Sequence, residues 1–132
     1  MSNKNFEEVL QKVRSIAFAE KFDTIVAIAH GGILPATLLQ QRLQLPLYLL
    51  KLSFRDARQQ PLYDHPQLTE PLAFDPAGRH ILLVEDRVKT GASLQCAVQL
   101  LQNAACVKTF AVNGNADYCL YNEDCFKFPW IL

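Results

Sequence analysis

Two adjacent acidic residues, Glu85 and Asp86, follow the apolar run ILLV in the segment RHILLVEDRVKTGASLQ. A short apolar run of this kind predicts a buried strand. Two carboxylates at the end of a buried strand are unfavourable unless a cation or hydrogen-bond donors neutralise them. Ribose hydroxyls and a divalent cation both meet that need, so the pair is a candidate ligand site.

The segment after the acids has the features of an anion site. Thr90 and Gly91 are predicted to begin a helix. The first N–H groups of a helix lack partners within it, and these groups and the helix dipole both attract a phosphate. Gly91 permits a close approach of the backbone, and the hydroxyls of Thr90 and Ser93 add donors. A sugar 5-phosphate would span the acids and this loop. The residue types alone leave a plainer alternative open, in which the acids are solvated and the loop only caps a helix.

Strands that alternate with helices must position these residues. Apolar and β-branched runs predict strands at 24–29, 45–54, 80–85 and 106–114. Helical spacing predicts helices at 5–20, from near Pro35, and at about 91–103. The proline-rich stretch 55–78 shows no period and is predicted to be a mobile, functional loop. The order predicts an α/β fold with three layers, in which helices flank a mostly parallel twisted sheet, formed by a single domain at 1–132.

A second polar segment, His30-Gly31-Gly32, follows the strand predicted at 24–29. Ligands of parallel α/β sheets bind beyond the carboxyl ends of the strands. We therefore expect this segment to open onto the same edge of the sheet as Glu85 and Asp86.

Composition excludes several broad classes of partner. The 132 residues carry no net charge, so the chain lacks the basic excess that is typical of proteins that bind nucleic acid. No apolar run reaches membrane-spanning length, and the N-terminal segment lacks the apolar core of a signal peptide. The four cysteines show neither C-x-x-C nor zinc spacing. We expect a cytoplasmic protein with reduced thiols and with no nucleic-acid or membrane partner.

Three segments resemble one known family. ILLVEDRVKTGASL resembles the signature of the type I phosphoribosyltransferases, in which a strand ends in two acids and a T-G-x-T/S loop follows. IVAIAHGGILPATLL is similar to an earlier loop of that family, and FPW near the C-terminus resembles the tail of its small xanthine–guanine branch. The resemblance spans roughly residues 22–130. ILLVED alone also resembles the first strand of response regulators, but too little chain follows it for that fold.

The resemblance implies a glycosyltransferase of purine salvage and nucleotide metabolism. Such an enzyme moves ribose 5-phosphate from phosphoribosyl pyrophosphate (PRPP) to a nucleobase, here a purine-like one, and releases pyrophosphate. Mg²⁺ is the implied cofactor, held mainly by the substrate near Glu85 and Asp86. The stretch 55–78 corresponds to the loop that closes over the substrate, and the assembly is expected to be a homodimer or homotetramer.

The implied site residues fall into four groups. Glu85 and Asp86 would bind the ribose hydroxyls, and together with Lys89 they are the predicted catalytic residues. The 5-phosphate would be surrounded by Val88, Lys89, Thr90, Gly91, Ala92 and Ser93. Pyrophosphate would contact His30, Gly31 and Gly32. The base would contact Asn113, Cys125 and Phe126.

Two departures from the family pattern concern charge. His30 stands where the family usually has Arg, which lowers the charge available to pyrophosphate at neutral pH. Lys89 stands where the 6-oxopurine enzymes have an Asp near N7 of the base, and a lysine performs the same acid–base role only after a large pKa shift. These departures leave two alternatives to an enzyme: a non-catalytic module that binds PRPP or a nucleotide, and an interaction domain that retains only the fold.

Two further departures concern the base site. The xanthine–guanine branch has a lysine on the strand after the helix, where this chain has Val112 and Asn113. It also has Trp-Ile where this chain has Cys125 and Phe126. The acceptor base is therefore harder to predict than the phosphoribosyl donor.

Overall fold

The structure is a computed structural model that describes residues 4–53, 67–68 and 70–132. Its helices are α1 (Phe6–Ser15), α2 (Ile33–Leu43) and α3 (Ala92–Leu100). Its strands are β1 (Thr24–Ala29), β2 (Leu47–Ser53), β3 (Gln67–Leu68), β4 (His80–Arg87), β5 (Cys106–Asn113) and β6 (Tyr118–Tyr121). In the part of the chain described, no helix is long and apolar enough to cross a membrane.

The strands form one sheet in the order β3-β2-β1-β4-β5-β6. Five strands are parallel, and the two-residue strand β3 runs antiparallel to β2 at the edge. Strands β1 and β4 are direct neighbours, with Ala27 in register with Val84. The carboxyl ends of β1 and β4 are therefore adjacent, which brings His30 and Glu85 to one edge of the sheet. The predicted mostly parallel α/β sheet is confirmed.

Helices cover both faces of the sheet because the strands are apolar on both sides. On one face, Leu82 and Val84 pack in a core with Val9 of α1 and Leu39 of α2. On the other face, a second core is formed by Val26, Ile28, Leu50, Ile81, Leu83, Leu94, Ala97 and Leu101. Burying side chains of this size stabilises the fold by about 1.5–3 kcal/mol each. Helix, sheet and helix make the three layers that were predicted.

The first helix begins as its sequence indicates and ends earlier than predicted. The side chain of Asn5 accepts a hydrogen bond of 2.8 Å from the amide of Glu8, which is the interaction of an N-cap. The helix stops at Ser15, and Ile16 is already extended. Phe18 then packs edge-on against Phe22 and Tyr118. This aromatic contact with β6 requires the chain to leave the helix, so the predicted continuation to residue 20 is wrong.

Other boundaries also differ from the sequence expectations. The helix predicted at about 91–103 ends at Leu100, and residues 118–121, where no period was evident, form β6. Within the loop predicted at 55–78, residues 55–66 and 69 lie outside the described part, and so does residue 54 of the strand predicted at 45–54. Residues 67–68 form β3, which pairs with the end of β2.

Candidate active site

Three consecutive residues at the end of β4 contact three different parts of the structure. Glu85 lines a cavity of about 480 Å³ formed with the following loop. Asp86 lies against Gly31, where an added Cβ would stand 2.6 Å from its Oδ1 atom. Arg87 donates a hydrogen bond of 2.5 Å from its guanidinium to the carbonyl oxygen of Phe126. The end of this strand therefore connects the cavity, the loop after β1 and the C-terminal tail.

The two acids differ in their surroundings. Burial raises the pKa of Glu85 to about 8, and a side-chain hydrogen bond with Asp86 and repulsion from its charge act in the same direction. A backbone hydrogen bond from the amide of Asp86, at 3.0 Å from Oε1, opposes this rise in the pKa of Glu85. Asp86 instead accepts a hydrogen bond of 2.6 Å from the amide of Arg87. Burial thus favours the protonated form of Glu85, whereas a cation or a set of hydrogen-bond donors would favour its ionised form.

The cavity beside Glu85 is formed almost entirely by one continuous segment. Its lining residues are Glu85, Arg87, Val88, Lys89, Thr90, Gly91, Ala92, Ser93 and Leu94. Every residue predicted to surround the 5-phosphate is therefore at this cavity, together with Glu85. The volume lies within the range of about 300–1,000 Å³ that is usual for small-molecule pockets.

The start of α3 supplies the donors of this cavity. Gly91 has a φ of 85°, a left-handed conformation that favours glycine, and it offers no side-chain cap to the helix. The hydroxyl of Thr90 accepts a hydrogen bond of 3.2 Å from the amide of Ala92. The N–H groups of the first helical turn have no acceptors within the helix. This geometry can bind a phosphate by backbone hydrogen bonds and by the helix dipole.

The loop between β1 and α2 lies beside the acids. Gly32 is buried, and its amide donates a hydrogen bond of 2.8 Å to the carbonyl of Ile28. A Cβ on Gly32 would collide with the carbonyl oxygen of Val84, so this close crossing of β4 requires glycine. His30 and Gly31 are exposed, and the Ala29–His30 peptide bond is cis. The structure therefore places the predicted pyrophosphate loop next to the predicted ribose site.

The residues predicted to contact the base are positioned differently from the other groups. Asn113 is 2% exposed. Its Nδ2 atom donates a hydrogen bond of 3.1 Å to the carbonyl of Glu123, and its Oδ1 atom accepts one of 3.0 Å from the amide of the same residue. Phe126 is 1% exposed and packs edge-on against Tyr121, whereas Cys125 is exposed. None of the three predicted residues lines the cavity beside Glu85. Their role in base binding remains a prediction. Asn113 and Phe126 are buried, so the tail would have to move before they could contact a base.

Leu94 and Arg87 line the cavity beside Glu85 and were not predicted from the sequence, and Arg87 is the charged residue of the two. Its guanidinium lies 4.4 Å from the ring centre of Phe128, and its Nε atom is buried without a hydrogen-bond partner among the described residues. The available signal was a charged residue at the end of a buried strand, between the acid pair and the predicted phosphate loop.

The acids also suit the cofactor that the sequence implies. Mg²⁺ prefers oxygen ligands and usually binds through one or two carboxylates together with substrate phosphates. Glu85 and Asp86 provide two carboxylates at the mouth of the phosphate loop. Within residues 4–53, 67–68 and 70–132, no group of three or more His, Cys, Asp or Glu side chains is arranged to hold a metal by itself. The residues fit an ion that takes most of its ligands from a phosphorylated substrate.

A parallel sheet that carries an acid pair and a glycine-opened helix at its carboxyl edge is typical of α/β proteins that bind phosphorylated ligands. Residues 2–123 match the phosphoribosyl transferase domain family, and the chain belongs to this family. The family resemblance read from the sequence is thereby confirmed. A search of curated protein sequences gives no match.

Solved structures share the fold at low sequence identity. A purine phosphoribosyltransferase from Pyrococcus horikoshii Ot3 aligns with a TM-score of 0.82 at 22% identity, over 98% of this chain and 92% of that one. A hypoxanthine phosphoribosyltransferase from Staphylococcus aureus aligns with a TM-score of 0.74 at 16% identity, over 89% and 73%. A hypothetical protein from Neisseria gonorrhoeae with bound ppGpp gives 0.74 at 16% identity, over 98% and 90%.

Proposed function

We propose that this protein is a phosphoribosyltransferase that moves ribose 5-phosphate from PRPP to a purine-like nucleobase and releases pyrophosphate. The observation that carries the proposal is the meeting of three elements at one sheet edge: the acid pair, the phosphate-type loop at 88–93 and the glycine loop at 30–32. Family membership supports the reaction type. The purine and hypoxanthine enzymes among the similar structures favour a purine-like acceptor.

The reaction exchanges one bond at the ribose carbon for another. A ring nitrogen of the base forms a bond to that carbon, the bond to the pyrophosphate oxygen breaks, and the nitrogen's proton leaves to solvent or to a nearby base. Positive charge develops on the sugar during this exchange, so no nucleophilic side chain is needed. The protein contributes by positioning the reactants and by stabilising charge.

Each part of the site has a proposed task. Glu85 and Asp86 accept hydrogen bonds from the ribose hydroxyls and offset the charge that develops on the sugar. The first turn of α3 and the hydroxyls of Thr90 and Ser93 bind the 5-phosphate. His30 and the two following glycines bind pyrophosphate. Mg²⁺, held by Glu85 and Asp86 together with the substrate, would neutralise pyrophosphate charge, and a proton on Glu85 would then leave to solvent.

Lys89 marks the point where the proposed chemistry differs from a 6-oxopurine enzyme. It is exposed, and it lines the cavity where those enzymes have an Asp. It therefore offers a positive charge and hydrogen-bond donors to the acceptor instead of a carboxylate. We also propose that the chain is a single domain, acts in the cytoplasm and assembles as a homodimer or homotetramer, as the family resemblance implies.

A second candidate function is nucleotide binding without turnover. The similar protein from Neisseria gonorrhoeae holds ppGpp. In this chain, Lys89 and His30 differ from the residues that the family usually has at these positions. These differences weaken the case for catalysis and leave the phosphate-type loop unchanged. A guanine nucleotide with several phosphates would use the same helix start and the same basic side chains. This candidate predicts a ligand-induced rise in thermal stability and no release of pyrophosphate.

Thermal unfolding and a base panel separate the two functions. PRPP with Mg²⁺ should raise the melting temperature, since a ligand that binds the folded state stabilises it by about 2.7 kcal/mol at 100 times its Kd. Pyrophosphate should then be released with one base among guanine, xanthine, hypoxanthine, adenine, uracil and orotate. Stabilisation without release, together with a rise in melting temperature with ppGpp, would favour the second function. No stabilisation by either ligand would contradict both.

A pair of matched variants tests the location of the site. Asp86→Asn should remove most of the stabilisation by PRPP and Mg²⁺, because the neutral amide loses the charge that faces the ribose and the cation. Asp124→Asn removes an equal charge from an exposed position on the tail and should leave the stabilisation unchanged. An unchanged response in Asp86→Asn would show that PRPP binds elsewhere.

A further inference from the structure

The C-terminal tail, which follows β6, is held by side chains at the ends of two neighbouring strands. Arg87 of β4 and Asn113 of β5 lie in register. The guanidinium of Arg87 donates a hydrogen bond to the carbonyl oxygen of Phe126, and the side-chain amide of Asn113 makes two hydrogen bonds with the backbone of Glu123. The tail is thereby fixed at the carboxyl ends of β4 and β5, which is the edge of the sheet where the candidate site lies.

The N-terminal part of the chain holds the tail at other points. The ammonium group of Lys4 forms an ion pair of 2.9 Å with the carboxylate of Glu123, and the ring of Phe6 packs edge-on against Trp130. Neither Lys4 nor Phe6 lines the cavity of the candidate site, whereas Arg87 does. Arg87 therefore connects the wall of the cavity directly to the tail.

The stability of the fold does not by itself account for Arg87. Its Nε atom is buried without a hydrogen-bond partner among the described residues, and the side chain takes part in none of the ion pairs found there. A buried donor without an acceptor is unfavourable, and departures of this kind are expected where a residue serves function. The guanidinium contacts the carbonyl of Phe126 and the ring of Phe128, and both belong to the tail.

The acceptor must reach the ribose carbon from a side that the phosphates leave open. In the proposed function, the start of α3 holds the 5-phosphate and the loop at 30–32 holds pyrophosphate. Among the described elements at the carboxyl ends of β4 and β5, the tail remains, so the acceptor enters between the tail and the cavity. The position of the tail therefore decides how well the acceptor fits against the ribose.

We propose that Arg87 is a positioning residue of the acceptor site, which acts by fixing the tail beside the phosphoribosyl cavity. This inference rests on the proposed function and adds a residue whose partner is the protein and not the substrate. Without the guanidinium, the tail would occupy the correct position in only a fraction of the molecules, and the apparent affinity for the acceptor would fall by that fraction. Bound acceptor would restore the position of the tail, so turnover at saturating acceptor would be kept.

Steady-state kinetics of Arg87→Met separate positioning from a merely structural role. The acceptor is the base with which pyrophosphate is released from PRPP. Its KM should rise about 10- to 100-fold, as expected if the tail is in place in about 1–10% of the molecules, while kcat stays within about threefold of the wild-type value. Loss of folded enzyme would instead lower kcat and leave KM unchanged. Stabilisation by PRPP and Mg²⁺ without acceptor should persist, because the guanidinium bonds to the tail and not to the donor.

Trp130 reports on the tail without any acceptor. It is the single tryptophan of the chain, and it stacks on Phe128 with ring centres 5.1 Å apart. In Arg87→Met its fluorescence should be quenched more strongly by acrylamide, and its emission should shift to longer wavelength. Quenching and emission equal to those of the wild type would show that Arg87 does not fix the tail and would overturn the proposal.

A second variant reaches the tail without changing the cavity. Phe128→Leu removes the ring beside the guanidinium, and Phe128 does not line the cavity, so this variant should raise the KM for the acceptor as Arg87→Met does. Phe110→Leu is the matched control, because Phe110 is also buried in the same core. It should lower the stability and leave KM unchanged. Arg87→Lys, whose ammonium group can still donate to the tail, should recover part of the loss.

The outcomes separate the positioning role from the proposed function. An unchanged KM in Arg87→Met would overturn the positioning role, and so would an equal rise of KM in Phe110→Leu. A raised KM in Arg87→Met with a normal KM in Phe128→Leu would also overturn it, because Arg87 would then act on the ligand directly. If Arg87→Met does not fold, Phe128→Leu and Arg87→Lys decide by the same criteria. No response of the wild type to PRPP would overturn the proposed function, and the Trp130 measurement would then decide whether Arg87 fixes the tail.

Discussion

Replacing Glu85 with glutamine should remove a pH dependence from the stability of the protein. Burial raises the pKa of Glu85 to about 8 from 4.5. Between these values the carboxyl group is protonated in the folded state and ionised in the unfolded chain. Its stabilising contribution is therefore complete below about pH 4.5 and is lost as the pH rises through about 8. Glu85→Gln keeps the shape of the neutral carboxyl group and cannot ionise.

The size of the effect follows from the change in pKa. One pKa unit corresponds to about 1.36 kcal/mol. In the folded protein Glu85 is protonated at pH 6 and about half ionised at pH 8, whereas in the unfolded chain it is ionised at both. The free energy of unfolding therefore falls by about 2 kcal/mol over that interval. The advantage of the wild type over Glu85→Gln should thus be about 2 kcal/mol larger at pH 6 than at pH 8. Comparing the two proteins at each pH cancels the contribution of titrating groups that are distant from Glu85.

Urea denaturation at pH 6, 7 and 8 measures this difference directly. Glu7→Gln serves as the control, because the side chain of Glu7 is 69% exposed in the first turn of α1. The difference between wild type and Glu7→Gln should stay constant over the same pH range. A constant difference for Glu85→Gln as well would refute the reasoning, since it would show that Glu85 is ionised in the folded protein with an ordinary pKa.

Two further substitutions test the contacts that build the site. Gly31→Ala places a methyl group 2.6 Å from Oδ1 of Asp86. The methyl group should displace the carboxylate and sharply weaken stabilisation by PRPP and Mg²⁺ in a thermal shift assay. An unchanged response would mean that this contact is unimportant for binding. Asn113→Ala removes both hydrogen bonds to the backbone of Glu123 and should lower the free energy of unfolding by about 1–3 kcal/mol, because it leaves buried groups unpaired. Asn122→Ala, at an exposed position, is its control, and equal losses in urea denaturation would contradict the role assigned to Asn113.

The fold class and the position of the candidate site loops at strand ends were predictable because local patterns carry them. Apolar runs and helical spacing define β1, β4, α2 and α3, and the alternation of strands with helices leaves few arrangements other than a parallel sheet. Since ligands bind at the carboxyl ends of such strands, the sequence also predicted that His30-Gly31-Gly32 and the acid pair open onto the same edge of the sheet. The register of β1 with β4 bears this out.

Features that depend on contacts between distant residues were not predictable from local pattern. Strand β6 is four residues long, and it pairs with β5 and packs with Phe18 through Tyr118. The tail around Phe126 shows no helical or strand periodicity in its sequence. Hydrogen bonds from Asn113 and Arg87 to its backbone fix its position instead of regular secondary structure.

The sequence alone put the acid pair and the following loop into one candidate site, and the tertiary structure decided what each residue faces. Neighbouring residues of a strand point to opposite faces, so Glu85 meets a cavity while Asp86 meets Gly31, although both appear as one acid pair in the sequence. Packing likewise places Asn113 against the tail and leaves Nε of Arg87 without a hydrogen-bond partner among the described residues. Burial and partner identity are properties of the assembled fold, and no local sequence pattern carries them.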